Sequence, residues 1–167
     1  YLAADITCTD SLTVAADVDL CLNDKVLSLA GKGNITVDSN KVFNLYDCGD
    51  TKRYYDKDAT TGLWTLKTSG TSDYSTTGGV ITGGGAEFGG GVYVGVSGTF
   101  DMHGGNIVGN QAEYGGGIYN SGTFEVTAGT IIGNKADFGG AIQSEKFMKL
   151  TSATGESITI TGNTATT

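Results

Sequence analysis

Proline is absent from the 167 residues, while histidine and tryptophan occur once each. Without proline, collagen-like and polyproline architectures are excluded, and so are the proline-bearing linkers that usually accompany a glycine-rich composition. Arginine occurs once, at Arg53, and the formal net charge is −8. No basic cluster can clamp phosphates, and the long-range field repels nucleic acid and anionic lipid. No apolar run approaches the roughly 18 residues of a membrane span, so direct membrane insertion is not expected. No charged start followed by an apolar core marks a signal peptide. The chain opens inside a strand-like pattern and closes inside a repeat, which predicts a fragment of a longer chain with its export signals and flanking domains elsewhere.

Cysteine is also scarce. Cys8, Cys21 and Cys48 lie in the first third, with no Cys-x-x-Cys pair and no Cys/His grouping. Zinc is not indicated. An odd count without framework spacing reads as buried thiols, with one disulfide as the alternative in an oxidising setting.

Glycine, by contrast, is plentiful at 28 residues, and much of it recurs in register. GGGVYVGVSGTFDMHGGNIVGNQAEY starts at Gly89, GGGIYNSGTFEVTAGTIIGNKADF at Gly115, and GGAIQSEKFMKLTSATGESITITGNTAT at Gly139. From Gly89 to Gly115 is 26 residues and from Gly115 to Gly139 is 24; the same offsets relate Ile81, Ile107 and Ile131. Ile160 follows 29 residues later, predicting a small extra loop near Ser152 to Glu156. Within each copy apolar residues alternate, as in Phe100 and Met102 around Asp101, which is the period of a strand. No helical periodicity is present.

A repeat of about eight residues in each of three segments predicts an all-β, right-handed, three-sided parallel β-helix with coils of about 24–26 residues. Equivalent residues then stack about 4.8 Å apart. The expected inward ladders are Val92, Ile118 and Ile142 on a first wall, Phe100, Phe124 and Met148 on a second, and Ile81, Ile107, Ile131 and Ile160 on a third. Asn110, Asn134 and Asn163 recur after the third strand and predict a turn ladder, with asparagine taking left-handed torsions and stacked amides bonding along the column. The glycine groups after Phe88, Tyr114 and Phe138 read as sharp corners. A phosphate cradle would need a helix after the glycines, and a strand follows each time.

Three regions are expected within one domain: irregular opening coils or a cap over residues 1–49, an inserted excursion over 50–77, and regular coils over 78–167. The excursion, DTKRYYDKDATTGLWTLKTSGTSDYSTT, reads as a hairpin turning at residues 59–62 that lies over the side of the stack.

Chemistry is sparse in this pattern. No catalytic residue is assigned. Glu87, Glu113 and Asp137 would form one carboxylate column beside the corners, where calcium is the one cation worth considering; no other cofactor is expected. Asp101, Glu125 and Lys149 form an outward ion ladder. His103 aligns with Thr127 and Thr151, which supports neither a metal site nor a triad. Tyr54, Tyr55, Trp64 and Tyr74 are the ligand-binding candidates, since sugars stack on exposed rings; the competing reading makes Trp64 the anchor packing the excursion onto the coils.

ITCTDSLTV, LCLNDKVLSLAGKGNITV, YYDKDATTGLW and the GGGIYNSGTF repeats together resemble the β-helical, adhesin-like surface proteins of gut Firmicutes. That resemblance covers essentially the whole chain. It implies a pectin-lyase-like fold displayed on the cell wall, with attachment to a host or microbial glycan or protein, and it supplies no catalytic residue. The acidic-sugar hydrolases of that fold carry Asp-Asp and Gly-His-Gly motifs; His103-Gly104-Gly105 departs from them. Expected, then, is a secreted, cell-surface, non-catalytic attachment or display module. The alternatives are a carbohydrate-binding module using Trp64, Tyr54 and Tyr55, and, further off, a polysaccharide lyase or glycoside hydrolase.

Overall fold

The computed structural model describes residues 1–67, 72 and 74–167. The described residues contain no helix, and the chain winds as a parallel β-solenoid of about 6 turns. The first coil holds β1 (Ile6–Thr7), β2 (Leu12–Val14) and β3 (Val18–Cys21); the second holds β4 (Val26–Ser28), β5 (Ile35–Val37) and β6 (Val42–Tyr46). The excursion follows with β7 (Lys52–Lys57), β8 (Trp64–Lys67) and β9 (Tyr74–Thr77). The third coil runs through β10 (Val80–Thr82), β11 (Gly85–Phe88) and β12 (Val92–Val94) into β13 (Thr99–Val108). The fourth continues with β14 (Gln111–Tyr114), β15 (Ile118–Asn120) and β16 (Thr123–Ile132). The fifth has β17 (Lys135–Phe138), β18 (Ile142–Ser144) and β19 (Met148–Leu150), and the last has β20 (Ile158–Thr161) and β21 (Thr164–Ala165).

All three predicted ladders are present. Val92 pairs with Ile118 and Ile118 with Ile142; Phe100 with Phe124 and Phe124 with Met148; Ile81 with Ile107, Ile131 and then Ile160. The columns extend into the opening residues, because Ile35, Phe43 and Leu27 continue the same three walls. Phe43, Phe100 and Phe124 stack as inner rings at 5.3 and 5.2 Å. Each buried side chain contributes about 1.5–3 kcal/mol, so these columns supply most of the stability. The columns end at exposed Ile6, Leu12 and Val18 on one side and at half-buried Ile142 and exposed Met148 and Ile160 on the other.

Residues 1–49 form two coils, one of the two arrangements expected there: β1, β2 and β3 pair in parallel with β4, β5 and β6. Three features differ from expectation. The second and third walls merge into one nine-stranded sheet, because β13 and β16 are each ten residues long and bend through the corner at a register shift near His103. From the third coil onward a fourth short segment appears, the ribbon β11-β14-β17-β21. Finally, Cys21 and Cys48 form a disulfide, with Cα atoms 6.6 Å apart, while Cys8 alone is a free thiol. The thiol expectation failed because spacing along the chain hides that Cys21 lies opposite Tyr46, two residues from Cys48.

The asparagine ladder is built. Asn110 Nδ2 donates to Asn134 Oδ1 at 3.0 Å, and Asn134 Nδ2 to Asn163 Oδ1 at 2.9 Å. Each Oδ1 also accepts a main-chain N–H from the coil before: Gly84 to Asn110, Asn110 to Asn134, Asn134 to Asn163. The left-handed torsion, however, belongs to the preceding glycine, at φ 65° in Gly109, 61° in Gly133 and 63° in Gly162. Asparagine therefore serves as the amide bridge, and glycine makes the turn.

Candidate functional site

The excursion begins where the other coils bend from the second wall to the third, and its root is fastened. Asp47 accepts main-chain N–H groups of Asp24 and Gly79, at 3.1 and 3.0 Å, and Asp24 accepts that of Thr51 at 2.9 Å. Arg53 donates to the carbonyls of Asp24 and Gly78. Burial pushes the Asp24 carboxyl upward, but the Thr51 and Asp50 hydrogen bonds and the Arg53 charge outweigh it, so the group sits below its usual range.

Beyond the root, β7 pairs antiparallel with β8, Tyr55 opposite Leu66 and Lys57 opposite Trp64, as the hairpin reading expects. A third strand, β9, adds along the other edge of β7; residues 68–71 and 73 of the excursion lie outside the described ones. The resulting flap covers outward residues of the third wall. Tyr55 and Trp64 join Val80, Val108 and Ile132 in a second hydrophobic cluster. Trp64 rests on the glycines of the turn ladder: its main-chain N–H donates to the Gly133 carbonyl at 3.2 Å, and a Cβ on Gly133 would overlap the indole.

This placement separates the four aromatic candidates. Tyr55 is 0% exposed and Trp64 8%, so neither offers a face to a sugar. The Trp64 Nε1–H is itself buried with no acceptor among the described residues. Burial pushes the Tyr55 phenol up to about 12, with a hydrogen bond to Thr76 at 2.9 Å and the Arg53 charge opposing it. Tyr54 and Tyr74 remain half-buried, Lys52 lying over the Tyr54 ring.

Tyr74 lines a polar groove of about 450 Å³ between the flap and the bend in the solenoid, together with Asp47, Lys52, His103, Asn106 and Glu156. The His103 ring stacks on Tyr46 at 4.8 Å, and its Nδ1 shares a hydrogen bond with Thr127 Oγ1 at 2.9 Å. Glu156 comes from the extra loop that the 29-residue spacing predicts. Next to the groove, the second wall's outward column runs Asp19, Asn44, Asp101, Glu125 and Lys149, ending in a Lys149–Glu125 ion pair at 3.3 Å. Burial, then Glu125, pushes the Asp101 carboxyl up, and His103 draws it back.

Glu87, Glu113 and Asp137 stand exposed on one side of a second groove of about 790 Å³, with Leu63 of the flap also lining it. Among the described residues no three His, Cys, Asp or Glu side chains group closely enough to hold a metal ion. The solenoid, its grooves and its flap are what any likeness must account for. No family model, no curated protein and no solved structure matches this chain. Its functional reading therefore rests on its own geometry.

Sequence reading missed two things here. It did not foresee the groove at His103, because the groove exists only where the flap overhangs the bend. It used Phe88, Tyr114 and Phe138 only as corner markers, although their register beside Glu87, Glu113 and Asp137 already placed rings and acids in adjacent columns.

Proposed function

We propose that the chain is a non-catalytic, adhesin-like attachment or display module of the pectin-lyase-like kind, exported and held at the cell surface. The observation that carries this reading is the flap locked onto a rod of continuous columns. Trp64 seated on the Gly133 turn holds a lateral sheet at a fixed height, and rigid presentation is what an attachment surface requires. The Cys21–Cys48 disulfide agrees with an oxidising, extracytoplasmic setting. The partner in this reading is a surface glycan or protein of host or neighbouring microbe, with further domains of the same chain carrying the anchor.

A second reading has a specific observation behind it: the groove at His103 gathers Asp47, Lys52, Tyr74 and Glu156 around a volume that takes a saccharide unit. In it the sugar contacts move from Trp64 to Tyr74.

The deciding experiment sets an immobilised chain against a glycan array and, in parallel, follows cleavage of acidic polysaccharides by reducing-end release. Retention without turnover supports attachment, and its loss in Tyr74→Ala assigns it to the groove. Turnover, or retention of nothing, defeats the proposal.

A further inference from the structure

Outside both hydrophobic core clusters, five rings gather at the glycine corner between the short ribbon and the first wall. Phe88, Tyr114 and Phe138 stack in one column, with centroids 5.2 and 5.1 Å apart and planes within 13°. Tyr93 and Tyr119 form a second column at 5.8 Å, and Tyr119 meets Phe88 edge-on at 4.9 Å. Tyr119 is 6% exposed and forms the floor, whereas Phe138 is 43% exposed at the end of its column.

The rim is acidic. Glu87, Glu113 and Asp137 each directly precede a stacked ring and are exposed, with the Glu113 carboxylate in reach of the Tyr114 phenol. The Tyr114 phenol is held up first by its hydrogen bond to Glu113, then by the Glu113 charge, by burial, and by the charges of Glu87 and Asp137. Burial and a hydrogen bond to Glu145 hold up that of Tyr119. Asp137 accepts a neutral hydrogen bond from Thr166 at 2.7 Å. Among the described residues none of these four acids is ion-paired; the pairs present are Lys67–Asp56 and Lys149–Glu125. Lys135, the basic residue on the same ribbon, donates instead to the Thr61 carbonyl at 2.6 Å.

Apolar rings bordered by uncompensated carboxylates complement one side chain above the others. A guanidinium is planar and weakly hydrated, so it lies along an aromatic surface while pairing a carboxylate through two parallel bonds; an ammonium keeps its water and bonds as a point. We propose that this ring-and-carboxylate corner docks an extended, arginine-bearing segment of a partner protein. The inference rests on the attachment reading in taking the partner to be a macromolecule.

Alternate side chains of an extended segment point the same way, so the probe is a dye-labelled peptide of alternating glycine and arginine, titrated with the intact chain and followed by anisotropy. Saturable binding is expected, with Phe138→Ala and Glu113→Gln each weakening it roughly five- to tenfold. The glycine-lysine counterpart binds more weakly by a similar factor. Glu125→Gln, on the second wall, leaves binding unchanged. Both test residues are exposed, and unaltered circular dichroism verifies the fold of each variant. No saturable binding, equal binding of the lysine peptide with no effect of Phe138→Ala, or displacement by a neutral oligosaccharide overturns the proposal. A positive glycan array alongside a failed peptide titration defeats this inference and leaves the attachment reading standing.

Discussion

Replacing Gly133 with alanine puts a methyl group where the Trp64 indole now lies. Two costs add. The glycine has φ 61°, and a left-handed torsion costs a residue with a Cβ about 1–2 kcal/mol. The indole, 8% exposed, must then leave its seat, which forfeits burial of about 2–3 kcal/mol. Gly133→Ala should therefore destabilise by about 4 kcal/mol, and Trp64→Ala alone by about 3–5 kcal/mol. With the indole gone, only the Cβ of residue 64 still crowds the methyl group, so in the Trp64→Ala background Gly133→Ala should cost its backbone share plus the strain of easing that one contact. A coupling of about 1–2 kcal/mol between the two changes follows. Urea unfolding followed by circular dichroism measures all four corners of the cycle. Trp64 is the sole tryptophan, so the emission of Gly133→Ala reports the indole directly and should shift to the red. Additive costs, or an unshifted emission maximum, would refute the seating of Trp64 on the turn ladder.

Asn134 is fully buried and bridges three coils; Asn134→Ala should cost about 3 kcal/mol in urea melts, against about 1 kcal/mol for Asn163→Ala at the more open end of the ladder. The Cys21–Cys48 bond closes a loop across a separation of 27 residues, so replacing both cysteines with serine should lower stability by about 3.5 kcal/mol on loop-entropy grounds. Alkylation of the native chain read by mass spectrometry should mark Cys8 alone. Tyr55 has its folded pKa raised to about 12 from 10.0, so its contribution is complete below pH 10 and is lost as pH rises from there to about 12. The loss should be of the order of 2–3 kcal/mol, and Tyr55→Phe should flatten that limb of the stability–pH curve.

The repeat made the walls legible before any coordinates, because a solenoid converts an offset in sequence into a contact in space. Ile107 rests on Ile131, and Phe100 on Phe124, for no reason beyond that offset. The same logic failed wherever contacts are not between equivalent positions. Cys21 and Cys48 meet across an irregular corner, and β9 joins β7 through a stretch with no periodic pattern. Assigning left-handed torsions to asparagine was wrong by one residue, since its amide geometry and the adjacent glycine leave the same mark on the sequence. The aromatic candidates were chosen for residue type alone. Burial then split them, because Lys57 opposite Trp64 and Tyr55 opposite Leu66 fix which ring faces the third wall.

The flap is rooted between the second and third coils, yet Trp64 sits against glycines of the fourth, fifth and sixth, its main-chain carbonyl on Gly109 and its indole on Gly133 and Gly162. Under a stretching force along the rod axis, neighbouring coils would otherwise unzip one level at a time, each resisting only with its own parallel ladder. A splint across several levels makes those levels share the load. An anchored chain tugged by flow would then yield first beyond the splint's reach, and only afterwards at the levels it spans.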